Sequence, residues 1–480
     1  MAKVLLINTN KWGRGITHIW IASHSGILKS NGHDVKLFDC TFYSEWSHNE
    51  IEVNTNNKQY KKTNYQDLVK FKENSLTEDL QNLVNNFKPD VIFWSGLSSH
   101  INGEGEYVSL QYGYELLQNI QHKSLLITGG IQATGDRENL LKEYPKIDYL
   151  ISGESEFVLL DLIKKLKSKE NLKTTKGISF FDNVTNQIKV NPRQEIIQDL
   201  DRLSFYDYEI FEPQVFLRAY NGKIVKAIDY ELSRGCIYTC SYCVETVIQN
   251  YYGFNEQTKK GALVKAKNYL RCKSAKRVYE ELKFYKKELK IDLVRCQDTN
   301  FLTINRDVLN ELEQMLIENP LELKLYIETR PEGINELSVK MLKNIGVDGV
   351  GMGIELANEN FRNKELNRFV DQDRIIKAFK ILKKNKINRT TYNIIGLPGQ
   401  NENHIKETIN FNKSLEPDNI TVCYYSPYIG TAEHKKSKIM NYFLDDKKNI
   451  DPRLRSLSDN SENLEMLKFY MENFVNLVRN

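Results

Sequence analysis

Nowhere in the 480 residues does an apolar run approach the roughly eighteen positions that a membrane-spanning helix requires. Met1, Ala2 and Lys3 lead into Val4, Leu5, Leu6 and Ile7 and then into polar Asn8, Thr9 and Asn10, too short an apolar run for the core of a secretory signal. It reads as a buried first strand. An excess of charge of one sign is missing too: 67 Lys and Arg stand against 63 Asp and Glu, and the net +4 gives no broad field to draw nucleic acid or anionic lipid. Cysteines are few, seven in all and mostly scattered, which argues against a disulfide framework and for reduced thiols in a cytoplasmic protein. Histidine is absent from the whole stretch between His122 and His404, and there is no internal repeat or low-complexity segment.

Against that background Cys236, Cys240 and Cys243 stand three and then two residues apart, after an apolar run ending in Leu232, Ser233, Arg234 and Gly235. Thiolates set so closely can wrap one face of a four-iron cluster, and a cubane takes four ligands where this loop supplies three. The uncovered iron is then free to bind a substrate, as the open position of a catalytic zinc site is. The competing reading is a structural zinc ion, which needs a fourth Cys or His in a paired spacing. Cys272 is almost thirty residues further on, and no histidine is near.

The chain is long enough for two or three domains. Apolar strands at residues 4–7, 35–38, 91–94, 125–128 and 149–152 alternate with helix-length segments, so an α/β fold with a Rossmann-like parallel sheet is expected over 1–170. Ligands of such sheets sit beyond the carboxyl ends of the strands. Small residues gather in the loops there: Ser95, Gly96, Ser98 and Ser99; Thr128, Gly129 and Gly130; and Ser152 and Gly153, followed by Glu154. Either the backbone there approaches a large flat ligand or these residues simply turn the chain. Residues 171–225 read as a connector, with a hairpin over 177–181 and 187–190 and a type I′ signal at Asn221-Gly222.

A second series at 228–232, 293–296, 323–327, 349–354, 390–395 and 420–425 predicts a partial (β/α)6 TIM barrel over 226–435, with its chemistry at the carboxyl ends of the strands. The cysteine loop leaves the first of those ends, and the others carry Gln297 to Asn300, Glu328 to Arg330, Glu355, Gly396 to Gly399 and Tyr425 to Pro427. Cys296 and Cys423 read as buried small hydrophobes rather than hydrogen donors. Residues 436–480 form a tail in which Leu467, Tyr470, Met471, Phe474 and Val478 recur at helical spacing, an amphipathic helix expected to pack over the barrel.

At these residues the chain resembles the radical S-adenosylmethionine enzymes, specifically those with an N-terminal cobalamin-binding domain, over roughly residues 1 to 430. The resemblance implies a [4Fe-4S] cluster on Cys236, Cys240 and Cys243 whose open iron chelates S-adenosylmethionine, with Tyr242 near the adenine. It implies S-adenosylmethionine contacts for Asp298, Glu328, Arg330, Glu355, Ile395, Gly396 and Tyr425, Glu355 being matched to the acid that meets the ribose. Ile237 stands where the family commonly has proline. Ser95, Gly96, Ser98, Ser99, Thr128, Gly129, Gly130, Gly153 and Glu154 look like the loops of the cobalamin domain. No Asp-x-His-x-x-Gly occurs, so no histidine of that motif can be a lower ligand.

The activity so implied is methylation of an unactivated carbon, or phosphorus, through a 5′-deoxyadenosyl radical. Its rivals are cyclisation, ring contraction or oxidation with the same cofactors, and a non-catalytic cobalamin or redox sensor. Methylthio transfer to transfer RNA, prompted by the basic segment 259–290, belongs to a family with a second three-cysteine cluster near its N-terminus, where this chain has only Cys40. Glu280, Glu281 and Glu288 mark that segment as a solvated helix. The expected partners are an electron donor such as flavodoxin or ferredoxin and a substrate that is a large small molecule, lipid or peptide, with no nucleic acid.

Overall fold

The computed structural model describes residues 1–95, 106–425, 428–439 and 461–480. Gly96, Ser98 and Ser99 lie outside the described residues, as do Ser426 and Pro427.

The short runs rich in Val, Ile, Leu and Phe are buried on both faces, as strands of a parallel sheet are. Seven of them form the first sheet: β1 (Lys3–Asn8), β2 (Asp34–Asp39), β3 (Val91–Ser95), β4 (Leu125–Gly129), β5 (Tyr149–Ile151), β6 (Ile178–Asp182) and β7 (Gln187–Val190). Their spatial order is β2-β1-β3-β4-β5-β6-β7, and the first five pair in parallel. Strand β1 pairs with β2 on one side and β3 on the other, so the order reverses there, the place where open α/β sheets bind ligands.

The hairpin expected inside the connector is present, but β6 joins β5 in antiparallel register and extends the sheet. An isolated two-stranded hairpin is marginal in water, and Ile178 and Phe180 are buried where β6 lies. The chain divides into two compact units. The first comprises Met1–Ile51, Tyr65–Leu217 and Val247–Gly253, and the second Glu52–Asn64, Arg218–Thr246 and Phe254–Asn480.

In the second region lie β8 (Leu217–Tyr220), β9 (Lys223–Tyr230), the small ribbon of β10 (Ser233–Arg234) with β11 (Arg271–Cys272), then β12 (Leu293–Cys296), β13 (Lys324–Glu328), β14 (Val347–Glu355), β15 (Asn388–Ile395) and β16 (Asn419–Tyr424). The order β16-β15-β14-β13-β12-β9-β8 gives a curled half-barrel sheet, with β9 and β12 to β16 all parallel. Strands β8 and β9 meet across Asn221 and Gly222, whose φ values of 50° and 80° are those a type I′ turn demands.

One face of β14 is stripped of side chains at Gly349, Gly351 and Gly353; tyrosines fill the space at the first two, and Glu355 and Arg368 at the third. A Cβ on Gly351 would lie 2.4 Å from Tyr392 Oη and 2.7 Å from Tyr326 Oη. The helix Ser461–Arg479 buries Leu467, Tyr470, Phe474, Val475 and Val478 against Ile405 and Ile409 of the helix Glu402–Leu415 and Ile395, Ile420, Val422 and Tyr424 of β15 and β16. Each such side chain contributes about 1.5–3 kcal/mol of burial. The basic segment 259–290 is not one helix: only Ala275–Leu289 is helical, and the residues before it run as an irregular stretch with a single 3-10 turn at Ala266–Asn268. Among the described residues no helix is long and apolar enough to cross a membrane.

Candidate active site

The cysteine loop begins where β9 ends, and a buried carboxylate fixes its start. Asp298, just past β12, is almost wholly enclosed; its Oδ1 accepts from Leu232 N at 3.1 Å, Ser233 N at 2.6 Å and Ser233 Oγ at 2.5 Å. Burial pushes this carboxyl up to about 7, while the Ser233 and Leu232 donors pull it back. Gly235 then turns with φ 97°, at a point where a Cβ would sit 2.7 Å from Tyr269 O. No other residue type fits that turn.

Cys236 and Cys240 are buried and Cys243 partly so. Tyr238 N donates to Cys236 Sγ at 3.4 Å, and Arg330 Nη1 to Cys240 Sγ at 3.5 Å. The Arg330 guanidinium lies 3.7 Å over the Tyr238 ring and is held by Glu332 at 2.5 Å and Phe369 O at 3.2 Å. The loop is pinned from the far side as well: Ser241 N donates to Leu366 O at 3.0 Å and Asn367 Nδ2 to Thr239 O at 2.8 Å.

Burial, with the Glu245 carboxylate adding to it, pushes the Cys236 thiol up to about 12, and burial and the neighbouring Cys240 raise that of Cys243. Coordination to a metal inverts this, because a ligating thiol is deprotonated. Among the described residues no three His, Cys, Asp or Glu side chains converge to ligate a single ion. A cubane does not ask for that, since its cysteines attach to separate irons. Two buried thiols receiving N–H donors, with the half-buried Cys243 beside them, suit such a cluster.

Beside the cysteines Tyr242 donates from Oη to Glu355 Oε1 at 2.9 Å, and Arg368 lies 3.7 Å from the same oxygen while donating to Gly353 O at 2.5 Å. Glu355 has φ 61°, uncommon for a residue with a Cβ, and follows a register shift between Gly353 and Glu355. A bulge of this kind re-aims a side chain at the end of a strand. Tyr242 packs with Leu356, Phe361, Leu366, Ile394, Leu397 and Tyr425.

Ile394 is in that cluster and Ile395 is not. The Ile395 side chain packs on the opposite face, with the C-terminal helix, as the two-residue period of a strand requires. Gly396 (φ 83°) and Leu397 donate their N–H groups to Gln400 Oε1 at 2.6 and 3.2 Å, so Gln400 holds the turn after β15. Tyr425 Oη is 3.3 Å from Ser437 Oγ. Half-buried Glu328 accepts from Tyr392 Oη at 3.1 Å, and burial raises its carboxyl despite the nearby Arg295. Cys296 is buried and its thiol is raised by burial, while Cys423 Sγ lies 3.6 Å from Asn393 O.

At the carboxyl edge of the first sheet, Ser95 closes β3, Thr128 donates from Oγ1 to Trp94 O at 2.8 Å, and Gly129 and Gly130 (φ 106°) follow. Gln132 Oε1 in the next turn is buried and has no hydrogen-bond partner among the described residues. An orphaned buried acceptor there suits a ligand edged with amide donors, as cobalamin is. Gly153 and Glu154 are otherwise engaged. A Cβ on Gly153 would meet Tyr252 Oη at 2.4 Å, Glu154 N donates to that oxygen at 2.9 Å, and Glu154 Oε2 accepts from Ile197 N at 2.8 Å.

Residues 230–411 match the family model of the Radical SAM superfamily. This stretch is a radical SAM domain. An uncharacterised methyltransferase of Pyrococcus horikoshii is 24% identical over 353 residues, covering 74% of this chain and 70% of its own length. An anaerobic magnesium-protoporphyrin IX monomethyl ester cyclase of Rubrivivax gelatinosus is 24% identical over 364 residues, and the chain spans only 60% of its length. Among solved structures the radical S-adenosylmethionine methyltransferase TsrM of Kitasatospora setae, with cobalamin and a [4Fe-4S] cluster bound, aligns with a TM-score of 0.67 at 15% identity, over 97% of this chain and 84% of that one. The fold is therefore similar to that of TsrM over the aligned residues.

Proposed function

We propose that the chain is a cobalamin-dependent radical S-adenosylmethionine methyltransferase acting on an unactivated carbon or phosphorus. The observation that carries it is the cysteine loop with Tyr242, Glu355 and Arg368 gathered beside it at the carboxyl end of the half-barrel. When bound, these cofactors supply an electron, a carbon-centred radical and a transferable methyl group.

The chain's own residues then have separate tasks. Cys236, Cys240 and Cys243 hold the cluster, with Tyr238 N and Arg330 Nη1 as donors toward its sulfurs. Glu355 offers its carboxylate to ribose hydroxyls, and the apolar group of Ile394, Leu397 and Tyr425 around Tyr242 offers a bed for adenine. Backbone at Ile395 and Gly396 serves the same end, whereas Asp298 acts as a positioning residue through Leu232 and Ser233. Glu328 and Tyr392 share a proton-bearing hydrogen bond. Ser95, Thr128, Gly129, Gly130 and Gln132 border the cobalamin, while Gly153 and Glu154 shape that edge through Tyr252. A flavodoxin- or ferredoxin-like donor in the cytoplasm supplies the electron.

A second reading, radical cyclisation or oxidation without methyl transfer, is favoured by the cyclase relative. Anaerobic reconstitution with iron, sulfide and cobalamin, followed by reduction in the presence of S-adenosylmethionine, separates the two. Methyl transfer gives S-adenosylhomocysteine only when cobalamin is present. Deoxyadenosine alone points to the second reading, and release of neither product contradicts both.

A further inference from the structure

The segment between the helix Glu245–Tyr252 and β11 carries Lys259, Lys260, Lys265 and Lys267, all exposed, against one acid, Glu256, over residues 254–268. Val264 sits among them with 57% of its surface exposed. The segment pairs directly with the backbone of the cysteine loop. Tyr238 bridges Ala262 in antiparallel register, Thr239 N donates to Gly261 O at 3.0 Å, and Leu263 N donates to Ile237 O at 2.7 Å. Paired strands lie about 5 Å apart, so Gly261, Ala262 and Leu263 are one strand spacing from the residues between Cys236 and Cys240, with the lysines flanking them on both sides.

We propose that residues 254–268 form the docking surface for a small acidic electron-carrier protein that delivers one electron to the cysteine loop. The inference rests on the cluster reading above. The carrier loses one electron and the metal site gains it, with no bond made or broken. Clustered lysines steer an acidic partner and fix its orientation, and an exposed apolar side chain among them gives the encounter a dry centre. The same chemistry would attract RNA, and the experiment tells the two apart.

Reconstituted protein is titrated with flavodoxin at several ionic strengths, and the rate of its reduction by reduced flavodoxin is compared with that by dithionite. The variant carries Lys259→Glu, Lys260→Glu, Lys265→Glu and Lys267→Glu, with a four-glutamine version and a thermal melt to confirm folding. The expected result is at least about a tenfold loss of flavodoxin affinity at low salt, a flattened salt dependence, an intermediate glutamine variant, and unchanged reduction by dithionite. Equal flavodoxin binding by wild type and variant overturns the proposal, as does salt-independent binding by the wild type or lysine-dependent binding of transfer RNA with flavodoxin unaffected. Failure of the wild type to take up any cluster instead brings down the cofactor reading, and this inference with it.

Discussion

Arg330 is the residue on which a redox measurement bears most directly. Its guanidinium donates to Cys240 Sγ and is locked over Tyr238 by Glu332 and Phe369 O. A positive donor at a cluster sulfur stabilises the reduced, more negative state. Arg330→Gln is therefore expected to lower the midpoint potential by tens of millivolts, on the order of 50 mV for the partial loss of one charged hydrogen bond. Redox titration of the loaded protein checks it, and an unchanged potential would leave Arg330 with a purely structural task.

Asp298 makes a different kind of prediction. Its carboxyl is raised from 3.8 to about 7 in the folded chain, so between those values the native state holds the proton more tightly than the unfolded one. Its contribution to stability is thus greatest at low pH and declines as pH rises toward 7. Asp298→Asn keeps an acceptor for Leu232 and Ser233 but cannot titrate. Denaturant unfolding of the variant is expected to lose that slope between about pH 4 and 7. A slope identical to wild type would place the titration elsewhere.

At the scale of elements, the parallel strands were legible because each is a short apolar run bounded by polar or glycine-bearing turns, and the cysteine spacing was legible because it is local. What could not be read were features that depend on a partner distant in sequence. β6 reads as half of a private hairpin until Ile178 and Phe180 need a neighbour, which β5 supplies. Ile394 and Ile395 differ only in which face of β15 they occupy, and a one-residue uncertainty in register exchanges them. Arg368 and Gln400 reach the site from loops with no local signal, whereas Tyr242 stands inside the cysteine motif itself.

The C-terminal helix was legible from its periodicity, and it covers β16 and the helix Glu402–Leu415. Phe474, fully buried there, is expected to cost about 3–5 kcal/mol when replaced by alanine. Chemical denaturation followed by tryptophan or circular-dichroism signals measures it. A loss below about 1 kcal/mol would mean that the helix is not part of the cooperative core.

For the whole molecule, every assignment depends on three sulfurs holding a multi-iron centre and leaving one iron for S-adenosylmethionine. Cys236, Cys240 and Cys243 are offered on one loop, with Tyr242 of that loop bonded to Glu355 at the end of β14. The decisive measurement is iron and sulfide content with electron paramagnetic resonance of the reduced protein, with and without S-adenosylmethionine, for wild type and for Cys236→Ala, Cys240→Ala and Cys243→Ala. The expected result is about four irons per chain, a signal that changes when S-adenosylmethionine is added, and loss of both in each variant. A single divalent ion, a cluster that survives any one of the substitutions, or a spectrum indifferent to S-adenosylmethionine would contradict it.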